Sequence, residues 1–460
     1  MRRSTARWRM RTLVPAGLVS LGCATASLAQ ETASSEVLTL SEAVALAHET
    51  HPSVGAARAG EDAASSVLGQ ARSAWWPQLG TRAGVVRYQE PMVVAPIHGF
   101  TQEEFERIEF ERTLIQGNAS LTWTVFDGGA RLNSIRGAQA GAAGAAAARA
   151  MTEMALTARV TLAYLEVLTA RGVLDAQQRR LDALQAERQR VDQLLAEGQA
   201  ARVELLRVDA ALAEAEAQRV ATATRLDLAE RQLARLIGVE PSEARVDRLC
   251  PIELMRSSML EQRADLVERA KANNPDLERA RQSVAAAEAK RKVARAAWIP
   301  VLELAGGYQL FSSDAGNTST EWNVGIAVTY PLFTGGARSS AVSQASAETY
   351  VAHEELRLAE LEIEDGVDRA LNAALETEAL VSALRRAVQH QTEVVRIEQL
   401  SLEAGAGTQT DYLRAEADLA RARSLLVEAQ HAEIAARAEL ARVVGELTPE
   451  WLVNNVEISQ

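Results

Sequence analysis

Apolar and polar side chains alternate strictly in two stretches of this chain. Ala119, Leu121, Trp123 and Val125 interleave with Asn118, Ser120, Thr122 and Thr124. Trp322, Val324, Ile326, Val328 and Tyr330 interleave in the same way with Asn323, Gly325, Ala327 and Thr329. Period-two alternation predicts strands with one apolar and one polar face. The vaguer, glycine-rich stretches at about 79–88 and 301–311 read as their hairpin partners, with solvent loops at 91–112 and 312–320. Each alternating run ends at a glycine pair, and the junction Trp123-Thr-Val-Phe-Asp-Gly-Gly-Ala-Arg131 returns as Tyr330-Pro-Leu-Phe-Thr-Gly-Gly-Ala-Arg338, 207 residues later.

That offset then holds without a gap. Leu174, Leu181 and Leu195 fall on Val381, Val388 and Leu402, and Leu236-Ile237-Gly238 falls on Val443-Val444-Gly445. A repeat this long is one structural unit copied in tandem. After each glycine pair the pattern predicts one helix, over 131–197 and 338–403, each roughly 100 Å long at 1.5 Å per residue. Val381, Val388, Val395 and Leu402 recur every seven residues, with Leu384 between, which is coiled-coil spacing. Both long helices end in glycine-containing turns (Gly198; Gly405 and Gly407), and return helices follow at about 203–236 and 411–443.

The N-terminal helix of the first copy is predicted over 41–74, with Ser41 as N-cap, and stops at Trp75-Trp76-Pro77. Its counterpart over 266–297 stops at Trp298-Ile299-Pro300. Here the offset is 223, so the first hairpin is 16 residues longer than the second, and length variation belongs in loops. The N-terminal and return helices are each about half the length of the long one. Stacked end to end, two of them flank it over its whole height.

Charge and the N-terminus narrow the class. With 49 Lys+Arg against 61 Asp+Glu, the net charge of −12 argues against nucleic acid as a partner. Arg2, Arg3, Arg7, Arg9 and Arg11 precede a short apolar core and Ser27-Leu28-Ala29, the pattern of a secretory signal over 1–29. Cys23 raises lipid attachment as an alternative, although Ser20-Leu21-Gly22 fits that motif poorly. Cleavage leaves Cys250 alone, so no intrachain disulfide forms. No later stretch is apolar for the roughly 18 residues a membrane helix needs. From pattern alone, the four strands are either a small soluble sheet on a helical core or part of a membrane barrel closed by other copies. The secretory signal favours the barrel.

Together these features resemble the TolC-like outer-membrane efflux protein family over nearly the whole mature chain. The residues that carry the resemblance are Leu38-Thr-Leu-Ser-Glu-Ala with His51-Pro52, both Trp-Xaa-Pro stops and both Phe-Xaa-Gly-Gly junctions. The run Gly405…Thr408-Gln-Thr-Asp411-Tyr-Leu-Arg-Ala-Glu-Ala-Asp-Leu419 adds the helix turn. The resemblance implies a mainly α fold with a small β part: a tandem-repeat, long-helix coiled-coil barrel. Four strands per chain would join a trimeric, twelve-stranded outer-membrane β-barrel. Its domains would be the signal 1–29, repeats 30–248 and 249–447, and a tail 448–460, with hairpins at about 79–126 and 301–333 in the membrane. The implied partners are two further copies, outer-membrane lipid, a periplasmic adaptor (membrane fusion) protein and an inner-membrane pump. The implied role is a passive exit duct for small molecules, or alternatively a type I protein secretion channel. A soluble periplasmic scaffold is the rival from another class.

Four residues just after the two turns are gate candidates at the tunnel end. Glu204 and Asp411 occupy corresponding places, with Arg207 and Arg414 one turn later, and threefold symmetry would make each a ring of like charge. The competing reading is a plain i, i+3 ion pair within each helix. The family's tyrosine–arginine latch is absent, because the matching positions hold Leu402 and Gly407. Gly198, Gly405 and Gly407 mark the turns that would meet the adaptor. Phe126, Gly128, Gly129, Phe333, Gly335 and Gly336 mark the strand-to-helix junctions, where interfacial aromatics anchor barrels. No catalytic constellation, cofactor motif or metal set stands out. His48 and His51 lack zinc-protease spacing, and no Lys-Ser/Thr follows either glycine pair as a phosphate loop requires.

Overall fold

Thr39, not Ser41, opens the first helix. Its hydroxyl accepts from Glu42 N while the Glu42 carboxylate accepts from Thr39 N (2.9 Å), a reciprocal capping box that Ser41 has no partner to form. The computed structural model describes residues 37–94, 110–239, 248–254, 262–316 and 318–458. The expected signal peptide and Cys23 therefore lie outside the described residues. The expected helix over 41–74 is two helices, α1 (Leu40–Thr50) and α2 (Pro52–Ser73). Pro52 forces His51 out of the helical region, and the His51 ring then caps α2 at Ser53 N. The second copy breaks in the same way at Asn274, which caps its following helix.

The hairpin strands are longer than the pattern suggested. β1 (Gln78–Val93) and β2 (Phe110–Phe126) carry the ladder past a register shift between Arg87 and Met92. Pro91–Val93 and Phe110–Arg112 thus belong to strands, and the middle of the expected 91–112 loop lies outside the described residues. Backbone pairing overrides the polar, proline-containing composition that suggested a loop. In the second copy β4 (Val301–Ser313) and β5 (Thr318–Thr329) leave only 314–317 between them.

Each hairpin leads through two left-handed glycines into a 67-residue helix, α3 (Ala130–Ala196) and, in the second copy, a helix over Ala337–Glu403. Return helix α4 (Arg202–Ile237) follows α3. Next come β3 (Ile252–Leu254), α5 (Arg263–Asn273) and α6 (Pro275–Ala296). The second long helix is α7, its return helix α8 (Gln409–Val444), and α9 (Pro449–Asn455) and β6 (Val456–Ile458) close the chain. As length arithmetic required, α2 and α4 flank α3. The other side of α3 is covered by the second copy's half-length helices, α6 and α8, which in turn flank α7. The helical wall therefore runs α2/α4, α3, α6/α8, α7, and the sheet runs in the same sense, β1-β2-β4-β5.

Two apolar clusters hold the wall at mid-height. The larger gathers Leu40 and Val44 of α1, Leu156, Val160 and Tyr164 of α3, Ile237 of α4 and Leu452 of α9. The Tyr164 hydroxyl lies 2.8 Å from both Leu38 O and Cys250 O, which pins the chain start and the β3 approach to α3. The smaller cluster joins Leu266, Leu277, Ile363, Val367 and Val444. Two more clusters lie toward the turns. One packs α3 on α4 (Leu184, Val191, Val208), and one packs α7 on α8 (Val395, Tyr412, Leu419). The heptad read from Val381 to Leu402 faces this way, with Val381 and Val395 buried and Val388 and Leu402 packed at the margin.

Candidate functional site

Register converts the alternation into two chemically distinct sheet faces. Pairing aligns Leu79, Leu121, Gly306 and Val324 in one row and Thr81, Ala119, Tyr308 and Trp322 in the next on the same face. The opposite face aligns Gly80, Ser120, Gly307 and Asn323, then Arg82, Asn118, Gln309 and Glu321. One face is thus aliphatic and aromatic, and the other polar and glycine-rich. Trp322, Val324 and Ile326 are 72%, 66% and 73% exposed with nothing packed on them. A band of that composition is suited to lipid, and the polar face to a water-filled lumen. Among the described residues no helix is long and apolar enough to cross a membrane.

At the joint between sheet and helices, arginine is the hub, a role the sequence reading missed. Arg131 Nε binds Asp127 Oδ2 (2.8 Å), its Nη1 donates to Ala74 O (3.2 Å) and its Nη2 to Val125 O (3.2 Å). The guanidinium also lies 4.6 Å over the Trp75 ring. One side chain therefore ties the end of α2, the end of β2 and the start of α3. Asp127 also accepts from Gly129 N (3.0 Å) and Arg131 N (2.9 Å), capping α3. Burial alone would raise the Asp127 pKa, but these hydrogen bonds and the Arg131 charge outweigh it and hold the carboxyl below its usual range. Gly128, at φ +64°, sits so close to Ile299 that a Cβ would lie 2.7 Å from that side chain. In the second copy Arg338 stacks over Trp298 (4.5 Å) and Tyr330 (5.2 Å), but Thr334 replaces the aspartate. The signal was present in the sequence: an arginine two residues after each glycine pair, with a tryptophan before each proline.

At the turns, Gly198 (φ +75°) and Gly405 (φ +70°) take the left-handed conformation that ends α3 and α7, while Gly407 packs against Ser401. Neither expected i, i+3 ion pair forms. Arg207 reaches instead to Thr410 Oγ1 (3.1 Å), linking the first copy's return helix to the second's. Asp411 accepts from the Thr408 hydroxyl (2.6 Å) at the α8 cap, and among the described residues Arg414 and Glu204 make no ion pair. Geometry explains this: Thr408 competes for Asp411, and the neighbouring hairpin supplies Arg207 with an acceptor that one helix alone does not display.

A buried polar network behind these residues was not legible in the sequence. Glu187 is 7% exposed and receives two hydrogen bonds from Arg190 (2.6 and 2.8 Å). Arg190 in turn donates across the seam to Gln409 Oε1 (3.3 Å) on α8. Tyr412 and Glu416 lie buried beside them, 3.4 Å apart, and burial pushes the Glu416 carboxyl above its usual range. Apolar clusters hold each hairpin together, and charged and amide groups join hairpin to hairpin beside Leu413, which packs against the α3–α4 cluster. The members come from the two copies without sitting at equivalent repeat positions, so no motif announces them.

Higher on the wall, His431 lines a half-open cleft of about 1040 Å³ between α3, α7 and α8. Thr169 donates to Leu165 O (2.8 Å), so it accepts from His431 Nδ1 (2.8 Å), which sets the neutral tautomer. Burial lowers this histidine to about 4. An unfolded histidine takes up a proton below about pH 6.5, so this contribution to stability is complete above that pH and is lost as pH falls toward 4. Acidification from pH 7 to 5 is expected to lower the melting temperature, and His431→Gln, which keeps a donor for Thr169, to flatten that slope. Equal slopes in thermal melts of both proteins would refute the assignment. His48 also has a structural role, lying 2.9 Å from Thr157 Oγ1 and 3.1 Å from Glu153 O. Among the described residues no three His, Cys, Asp or Glu side chains are placed to hold a metal.

Comparison with known proteins supports the assignment that the faces and the wall suggest. The family model described as outer membrane efflux protein matches residues 43–239 and 266–446, so both copies of the repeat are covered. The chain is 22% identical to outer membrane efflux protein BepC of Brucella suis biovar 1, over 90% of this chain and 87% of that protein. It is 26% identical to outer membrane protein TolC of Vibrio cholerae, over 89% and 91%. A shorter match, 26% over 64% of this chain and 65% of the relative, is to proteases secretion protein PrtF of Dickeya chrysanthemi. Among solved structures, the outer membrane protein VceC of Vibrio cholerae superposes with a TM-score of 0.73 at 18% identity, covering 88% of this chain and 96% of that one. The chain belongs to the outer membrane efflux protein family. It is an efflux channel protein of the outer membrane with a long periplasmic portion, and not an enzyme. That membership removes the soluble scaffold as an alternative.

Proposed function

We propose that three copies of the chain form one passive duct, with a shared barrel in the outer membrane and a helical tunnel in the periplasm. The observation that carries this reading is the pair of open edges. Among the described residues β1 and β5 each lack a neighbour on one side, and four strands are too few to enclose a lumen. α7 is as long as α3 but buries only nine residues where α3 buries seventeen, because its outer side has no partner. Head-to-tail association closes sheet and wall with one operation.

The tunnel's free end, at Gly198 and at Gly405 and Gly407, is the surface offered to a periplasmic adaptor served by an inner-membrane pump, which would supply the energy. In the absence of the tyrosine–arginine latch, the Arg190–Glu187–Gln409 network and the Arg207–Thr410 bond hold the tip closed. Small molecules are the favoured cargo, because the efflux relatives align over about nine-tenths of the chain and the protease-secretion relative over 64%. The deciding experiment is the native mass of the mature protein extracted from outer membranes in mild detergent. Three chains are expected, and a monomer or dimer would overturn the proposal.

A further inference from the structure

We propose that the inner face of the helical wall carries a niche that binds cationic amphiphilic molecules in transit, with Glu362 reading their charge. The proposal rests on the duct reading above and names a class of cargo that the passage would hold. The niche lies where the middle row of the wall is interrupted. α8 ends at Val444, and α6, stacked on it end to end, begins at Pro275. Asn274 Nδ2 donates to Val443 O (2.8 Å), which ties the two ends together. A half-open hollow of about 550 Å³ remains at this joint, walled by α3 and α7.

Helical phase decides which way the hollow opens. α5 grips α7 through Lys271 on Glu364 (2.6 Å) and Arg263 on Asp368 (2.7 Å), and α1 meets α3 through His48 beside Glu153 and Thr157. The hollow is lined instead by Glu362, Gly366 and Arg369 of α7 and by Met151 and Ala155 of α3. With 3.6 residues per turn, these positions fall on the far side of each helix from α5 and α1. Together with β3, which the Tyr164 hydroxyl ties to the approach of α1, those two helices form a second layer on one face of the wall. Three such layers turned inward would fill the passage. They therefore lie outside, and the hollow opens into the passage.

The lining selects the ligand. Met151 (39% exposed), Met154, Ile363 and Val443 supply apolar contact, and methionine side chains adapt to ligands of different shape. Gly366 lets α7 approach α8 closely, since a Cβ there would lie 3.2 Å from Val443. Most charges in the lining are already matched. Arg442 donates twice to Glu439 (2.6 and 2.7 Å), Arg369 pairs with Asp365 (3.0 Å), and Asp276 pairs with Arg279 (2.9 Å). Glu362 is exposed and, among the described residues, joins no ion pair. Each copy thus presents an apolar hollow with one unmatched carboxylate in its lining. Its size is that of pockets for small organic molecules, roughly 300–1,000 Å³, and the carboxylate favours a cation over an anion.

The test is the binding of ethidium, a planar organic cation, to the trimer in lipid nanodiscs, read by fluorescence anisotropy against empty nanodiscs. Glu362→Gln removes the charge, and Ala373→Trp fills the hollow from an exposed position in its lining. Each is expected to weaken ethidium binding at least fivefold, whereas Glu253→Gln, on β3 in the outer layer, leaves it unchanged. Fluorescein, an anion of similar size, is expected not to bind. No ethidium binding, wild-type affinity in both niche variants, or equal binding of the two dyes would overturn the niche, and a native trimer would still keep the duct. A monomeric wild type would sink the duct and, with it, the placement of the niche in a passage.

Discussion

Val324→Arg is expected to remove the protein from the outer membrane, whereas Asn323→Arg, one residue away, leaves it there. The two side chains leave the same strand on opposite faces. Val324 shares its row with Leu79 and Leu121, and Asn323 shares its row with Ser120 and two glycines. An arginine on the lipid face near mid-membrane costs about 2–4 kcal/mol, and a ring of three copies incurs that cost three times. The same arginine on the lumen face stays in water. Fractionation of outer membranes, with trimer content read on native gels, checks the pair. Equal retention of the two variants would mean that the apolar face does not meet lipid.

Arg190→Ala is expected to open the periplasmic tip. Glu187 is nearly inaccessible and both of its hydrogen bonds come from Arg190, which also carries the link to Gln409. Removing the cation leaves a buried carboxylate without its partner. With Arg190 itself a third exposed and its charge partly screened, about 1–3 kcal/mol is a reasonable loss. That is enough to shift a closed tip toward open by one to two orders of magnitude in population, at about 1.4 kcal/mol per factor of ten. Larger single-channel conductance in planar bilayers is the expected readout. Arg396→Ala provides the contrast, since it breaks an exposed i, i+3 pair with Glu393 and should leave conductance unchanged. Matching conductance in the two variants would exclude the network as the latch. Arg190→Lys, which keeps the charge but not the forked donors, should fall between wild type and alanine.

Both predictions depend on side chains that the repeat presents in different ways. Val324 was assigned to its face from alternation alone, because a strand has only two faces and its period is two. Arg190 was invisible, because a long helix with charges on several sides gives no local sign of which side meets another hairpin. The same contrast separates Arg131 from Arg207. Arg131 follows a glycine pair and recurs at Arg338, so its place in a joint was written in the repeat even though its contacts were not. Arg207 was paired with Glu204 by helical spacing, and the neighbouring Thr410 took it instead.

The sequence by itself determined the parts. Period-two runs set the strands, glycine pairs and Trp-Xaa-Pro stops set the corners, and the 207-residue offset set two copies of equal helix length. These are local signals, carried by sterics and periodicity within a few residues. Only the tertiary structure decided how the copies face each other: that α3 is covered on both sides, that α7 and two strand edges are left open among the described residues, and that Arg190 reaches Gln409 across the seam. Those outcomes depend on contacts between residues about 200 positions apart. Each is chosen by which surfaces fit once all the helices are in place, and no window along the chain contains that choice.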